Sequence, residues 1–297
     1  MRWDHLRLSG DDADGGGDGG GAVPLIERRA VARTFDTPEF RGTTFYEIRA
    51  RSVINAVPKA SRMPFRWTIN PYRGCTHACA YCFARKTHEY LGLDAGADFD
   101  SRIVVKVNAA ERVRAELAAP RWRGEHIAMG TNVDCYQRAE GRYRLMPGIL
   151  AALRDAANPF SVLTKGSLIL RDLPLLQEAA ERTHVSAAVS VGSLDPDLWR
   201  LVEPGTPSPR KRLQVCARLN EAGIGCAVLM GPVIPYLSDS PAQLETAVRQ
   251  IAEAGATSVS AITLHLRPGA REWFLAWLRE HHPELVVPYA RLYGSGA

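Results

Sequence analysis

From about residue 65 onward, apolar and polar positions alternate between two kinds of segment. Short apolar runs rich in β-branched residues and bounded by turn formers occur at Trp67–Asn70, His126–Asn132, Phe160–Lys165, Val185–Val191, Gly225–Ile234 and Thr257–Leu264, and each reads as a strand. Between them apolar residues recur with helical spacing over Ala109–Ala119, Met146–Ala157, Leu173–Arg182, Arg210–Ala222 and Pro241–Ala254, and Ala270–His281 follows the last strand. Six strands alternating with six helices require right-handed crossovers and a parallel α/β sheet. An incomplete (β/α)6 barrel and an open doubly wound sheet satisfy this equally, and in both the ligands gather at the carboxyl ends of the strands.

The flanks read differently. Residues 1–22 end in a glycine and aspartate tract with nothing to bury, so they are expected to form a flexible arm. Residues 23–64 are of mixed composition and read as an extension packing on the main body, with a short strand over Thr44–Ala50. The main body spans residues 65–270, and residues 271–297 form a C-terminal helix and a tail whose aromatics, Tyr289 and Tyr293, look exposed. That tail either docks across the body or leads into further chain.

With 297 residues, 46% of them apolar, the chain can bury a full core without crosslinks. Arg2 and Arg7 face five aspartates in residues 1–22, a net of −3, which leaves +8 of the formal +5 on residues 23–297. A basic body suits a polyanion such as nucleic acid. Met1 to Gly21 has no apolar run of the signal-peptide kind, and no stretch approaches the ~20 apolar residues of a membrane span, so the expected location is the cytoplasm. Three of the six cysteines are clustered and three scattered, which is not a disulfide framework and points to a reducing compartment.

The clustered cysteines carry the chemistry. In Asn70-Pro71-Tyr72-Arg73-Gly74-Cys75-Thr76-His77-Ala78-Cys79-Ala80-Tyr81-Cys82 the thiols of Cys75, Cys79 and Cys82 are spaced to converge on one point, as soft ligands for iron–sulfur or zinc. Three local thiolates without a clear fourth fit a 4Fe-4S cluster with one iron left open better than a closed zinc site. The competing readings are a zinc knob completed by His77 or His88, and a disulfide with a spare thiol.

This spacing, with Tyr81 just ahead of Cys82, resembles the signature of the radical S-adenosylmethionine (SAM) superfamily. The resemblance implies a partial (β/α)6 barrel of the TIM-like radical SAM type, a 4Fe-4S cluster and SAM as cofactors, and a low-potential electron donor such as a ferredoxin or flavodoxin. It also implies that Tyr81 lends its backbone to adenine. Read with that in mind, the strand ends offer Thr131, Asn132 and Asp134 for the ammonium of SAM, Lys165 for its carboxylate and Ser190 for carboxylate or ribose. For Asn132 and Asp134 the plainer reading is a strand-to-loop turn. Glu203 and Arg212 form either a buried pair lining the site or a surface pair. The apolar rim Gly231-Pro232-Val233-Ile234-Pro235 suits adenine.

Together with Thr131-Asn132-Val133-Asp134-Cys135-Tyr136-Gln137 and Glu203-Pro204-Gly205-Thr206-Pro207-Ser208, these motifs resemble the spore photoproduct lyase-like branch over about residues 65–265. In the founding members of that branch the adenosyl radical abstracts hydrogen from a thymine-dimer lesion, and a cysteine near the second strand end returns one. Cys135 lies in that neighbourhood but not at the same motif position, since Gly130 precedes Thr131. Its readings are a hydrogen donor, an additional ligand or a buried small hydrophobe, while Cys216 and Cys226 read as core. The expected function is therefore reductive cleavage of SAM to a radical acting on an unidentified substrate, nucleic acid among the candidates. The rival is a non-enzymatic metal or iron–sulfur module that binds nucleic acid.

Overall fold

The computed structural model describes residues 30–61 and 63–294. The arm expected over residues 1–22 lies outside them, as do residues 23–29 and 62 of the extension and 295–297 of the tail. In chain order the strands are β1 (Val31–Thr34), β2 (Thr44–Ile48), β3 (Ile54–Ala56), β4 (Trp67–Ile69), β5 (Tyr72–Arg73), β6 (Arg102–Lys106), β7 (Ile127–Met129), β8 (Phe160–Thr164), β9 (Val185–Ser190), β10 (Cys226–Val233) and β11 (Val259–Thr263). The α-helices are α1 (Ala97–Ser101), α2 (Ala109–Leu117), α3 (Arg138–Tyr143), α4 (Leu145–Asp155), α5 (Leu173–Ala180), α6 (Pro196–Val202), α7 (Pro209–Glu221), α8 (Pro241–Glu253), α9 (Ala270–His281) and α10 (Val286–Tyr293).

The larger sheet runs β11-β10-β9-β8-β7-β4-β3. The six expected strands are its parallel members, and β3 adds an antiparallel edge to β4. Each parallel strand lies beside the next one in sequence, with no reversal of order. A doubly wound sheet reverses at a switch point, so this order selects the partial barrel over the open sheet. Ile127, Met129, Val162, Val189 and Val228 on the strands pack with Ile149, Leu153, Val215 and Leu219 on the helices in the main core.

Helix starts follow local chemistry. In α6, α7 and α8 the residue before the first-turn proline is Asp195, Ser208 and Ser240, and each side chain accepts a backbone N–H of the first turn. These caps meet donors that a helix leaves unsatisfied at its start.

The first crossover, from β4 to β7, carries β5, the cysteine loop and β6, and β5 and β6 join the earlier β1 and β2 in a smaller sheet ordered β1-β2-β6-β5. The strand expected over Thr44–Ala50 is β2, parallel to β6. Strand β6 is a three-residue apolar run between charged ends, too short to stand out in the sequence. Its pairing with β2 and β5 makes it a strand.

The C-terminus corrects the expectation of a tail with exposed aromatics. Residues 286–293 form α10, Tyr289 is buried, and its hydroxyl donates to Pro235 O at 2.7 Å. Tyr293 Oη donates to Leu264 O at 2.8 Å. The helix thus docks beside the ends of β10 and β11. Among the described residues no helix is long and apolar enough to cross a membrane.

Candidate active site

The cysteine loop leaves the carboxyl end of β4 and is clamped from several sides. Cys75 N–H donates to Phe99 O at 3.0 Å, Thr76 N–H to Gln137 Oε1 at 2.9 Å, and Gln137 Nε2 to Gly74 O at 3.0 Å. Arg85, fully buried and ion-paired with Asp100, donates to Cys79 O at 3.0 Å. From the far side, Ala80 N–H donates to Val202 O at 2.9 Å and Gly205 N–H to His77 O at 3.0 Å. The approach at Gly205 is so close that a Cβ there would lie 2.1 Å from Thr76 O, which excludes every side chain.

Cys75 and Cys79 are buried and Cys82 is half-buried. Burial pushes all three thiols up, and the Asp134 carboxylate beside Cys75 and the Glu203 carboxylate beside Cys79 push those two further. Among the described residues no group of three or more Cys, His, Asp or Glu side chains is gathered as a metal site. The donors themselves favour a three-thiolate set. His88 turns into the protein, where its Nε2 lies 2.9 Å from Arg102 O and burial holds it down to about 4. His77 turns its Nδ1 towards Asp134 Oδ2 at 3.4 Å. Three soft sulfurs on one clamped loop fit an iron–sulfur cluster with an open iron, and metal binding would reverse the protonation that burial favours.

The strand ends converge on this loop. At the end of β7, Gly130 has φ +75° and a Cβ there would lie 1.8 Å from Leu163 O. Thr131 and Asn132 are half-buried, with side chains that bond to none of the described residues. Asp134, by contrast, is turned inward. Its Oδ1 accepts from Thr164 Oγ1 at 2.7 Å and Tyr136 N–H at 2.8 Å, and its Oδ2 accepts from Lys165 N–H at 2.7 Å beside His77. Burial alone would raise this carboxyl, but His77 and the donated hydrogen bonds outweigh it and hold it at about 2. With both oxygens engaged, Asp134 ties the β7 loop to the end of β8, closer to the turn reading than to a free ligand for an ammonium group.

Lys165 Nζ donates to Ser190 Oγ at 2.6 Å, lies 3.8 Å from Glu203 Oε1, and stands 5.8 Å from the centre of the Tyr81 ring. Glu203 also accepts from the Tyr81 hydroxyl and from Arg212 Nη2. The Glu203–Arg212 pair is buried, with side chains 5% and 1% exposed, which decides between the two readings of the sequence. Burial would raise Glu203, yet Arg212 and Lys165 keep it below the ordinary carboxylate range. Tyr81, Gly192, Pro232 and Ile234 line a narrow cleft beside this network, so the rim expected to meet adenine does face the cluster loop.

Cys135 is fully buried in the main core, and burial pushes its thiol well up, the surroundings of a small core residue. Cys216 and Cys226 are also core. Sequence reasoning missed the clamping roles of Gln137 and Arg85. Gln137 closes the Thr131–Gln137 motif, but nothing in its local sequence shows that it reaches Gly74.

A singly wound partial barrel with a three-cysteine loop on its first strand defines the radical SAM type of protein. The radical SAM superfamily matches residues 69–249, and the chain belongs to it. The chain is 50% identical over 298 residues to uncharacterized proteins of Mycobacterium bovis and Mycobacterium tuberculosis, covering 100% of this chain and 86% of theirs. It is 30% identical over 195 residues to an uncharacterized protein of Methanocaldococcus jannaschii, covering 65% of this chain and 69% of that one. Among solved structures, a spore photoproduct lyase variant with bound AdoMet and dinucleoside spore photoproduct matches with TM-score 0.59 and 14% identity, covering 80% of this chain. This chain spans 66% of that lyase's length, and the likeness is one of fold.

Proposed function

We propose that this protein is a radical SAM enzyme in which Cys75, Cys79 and Cys82 hold three irons of a 4Fe-4S cluster and SAM takes the fourth. The observation that carries this reading is the three-thiol loop clamped at the carboxyl end of the first barrel strand, against the Tyr81–Lys165–Glu203–Arg212 network. Bound there, the cofactors supply reductive cleavage of SAM to a 5′-deoxyadenosyl radical, which abstracts hydrogen from the substrate.

The chain's own residues orient and enclose. Thr131 and Asn132, free of partners among the described residues, are suited to the ammonium group of SAM, with Asp134 positioning their loop. Lys165 and Ser190 carry the charge and hydroxyl for the carboxylate and ribose, and Tyr81 with Pro232 and Ile234 offers apolar surface against which adenine would lie. The required electron comes from a low-potential donor of the ferredoxin or flavodoxin type in the cytoplasm. The basic body and the lyase-like fold make nucleic acid one candidate substrate.

Anaerobic reconstitution is expected to give iron and sulfide in equal amounts and a paramagnetic spectrum that changes when SAM is added. Dithionite and SAM should then yield 5′-deoxyadenosine and methionine, and Cys79→Ala should abolish both products. A Cys79→Ala protein that still cleaves SAM, or a wild-type protein holding one zinc and no iron, would sink the proposal. The latter result would favour a nucleic-acid-binding metal module.

A further inference from the structure

A cavity of about 290 Å³ opens between the cluster loop, the start of α3, the loop after β8 and the Gly205–Pro207 turn. It shares no lining residue with the Tyr81–Pro232–Ile234 cleft. Two of its polar walls are already engaged: Tyr136 Oη donates to Asp172, and Thr206 Oγ1 accepts from Trp199 Nε1 and donates to Glu203 O. Three others have no hydrogen bond or ion pair with the described residues. They are the exposed Arg138 guanidinium, the Ser167 hydroxyl and Nε2 of His77.

His77 is the most telling of the three, because it is only 2% exposed and yet one ring nitrogen bonds to none of the described residues. Its Nδ1 faces Asp134, a carboxylate itself held by Thr164, Lys165 and Tyr136. The ring's other nitrogen, Nε2, can share a hydrogen bond with a hydroxyl group. No Asp or Glu lines the cavity. Its lining therefore offers a forked cation, a hydroxyl and an imidazole. The complement is an oxyanion with a hydroxyl group a few atoms away. Arg recognises such oxyanions through two parallel hydrogen bonds.

We infer that this cavity holds a phosphorylated sugar unit of the substrate, with Arg138 and Ser167 on the phosphate and His77 on a sugar hydroxyl. The volume is at the small end for ligand sites, enough for one such unit with the rest of a larger substrate passing out beside Arg138. A free sugar phosphate and the phosphorylated end of an oligonucleotide share this chemistry. Calling the unit a substrate rests on the radical SAM reading, whereas its binding does not.

The test is calorimetric titration of the anaerobically reconstituted protein with ribose 5-phosphate, ribose, inorganic phosphate, and a single-stranded oligonucleotide with and without a 5′-phosphate. Ribose 5-phosphate should bind more tightly than ribose or phosphate. Arg138→Ala, at an exposed position, should keep its melting temperature and weaken that binding by about tenfold or more, with Arg138→Lys in between. Ser167→Ala should weaken it less. A preference of about tenfold for the 5′-phosphorylated oligonucleotide over ribose 5-phosphate would support the site and identify nucleic acid as its source, and the reverse preference would support it with a small metabolite as source. Failure of both phosphorylated probes to bind, or an unchanged affinity in Arg138→Ala, would overturn the inference. The SAM-dependent spectrum of the same samples separates the two ideas: phosphate-dependent binding without a SAM effect keeps this site and removes the radical SAM reading, and the converse removes the site alone.

Discussion

Asp134→Asn is the most informative single substitution. The carboxylate receives hydrogen bonds from Thr164 Oγ1, Tyr136 N–H and Lys165 N–H and faces His77, and its pKa is held at about 2. Against an unfolded value of about 3.9, this depression is worth ~2.6 kcal/mol at neutral pH. The amide also turns an NH₂ towards one of these donors, which adds about 1 kcal/mol or more for a buried group left without its partner. We expect Asp134→Asn to lose about 2–4 kcal/mol at pH 7, read by urea denaturation. Because the folded pKa is depressed, the charge-linked stability is fully present above the unfolded pKa and is lost as pH falls through the folded one. The penalty should therefore hold from pH 7 to about 5 and lose roughly half of its charge-linked part by pH 3. A penalty below ~1 kcal/mol at pH 7, or one that is the same at pH 3, would refute the assignment of Asp134 as an ionised inward staple.

Three further substitutions probe the rest of the frame. Arg212→Met strands the Glu203 carboxylate in a buried site and should cost about 3–5 kcal/mol in urea denaturation, with part recovered in the Glu203→Gln/Arg212→Met double variant. A double variant no more stable than Arg212→Met would argue against the pairing. Gly205→Ala forces the turn away from Thr76 O, so both the melting temperature and the iron retained per chain after reconstitution should fall; unchanged iron content would show that the turn does not clamp the loop. Tyr289→Phe leaves Pro235 O without its donor and should cost about 1 kcal/mol, and no loss would mean that α10 is not anchored there.

The strand–helix alternation was legible because each strand and helix of the barrel carries its own period. The starts of α7 and α8 are set just as locally, at Ser208-Pro209 and Ser240-Pro241, where cap and first-turn proline are neighbours in the chain. Short elements of the smaller sheet were not: β5 has two residues and β6 five, and their strand character comes from pairing across the fold. Among site residues, the three cysteines were evident from spacing. Glu203 and Arg212 were left between a buried and a surface pair, because ion-pair geometry says nothing about burial.

Local pattern alone determined that this chain has six β/α units and three thiols on one loop after the first strand, since both are relations between residues a few positions apart. The tertiary structure decided what those residues face. It turned Asp134 inward, joined Tyr81 to Glu203 across 122 positions and Thr76 to Gln137 across 61, and folded the C-terminal tyrosines onto the barrel. Such contacts depend on how the β/α units curve and on which polar groups lose water as they pack, quantities to which no short window of sequence is sensitive.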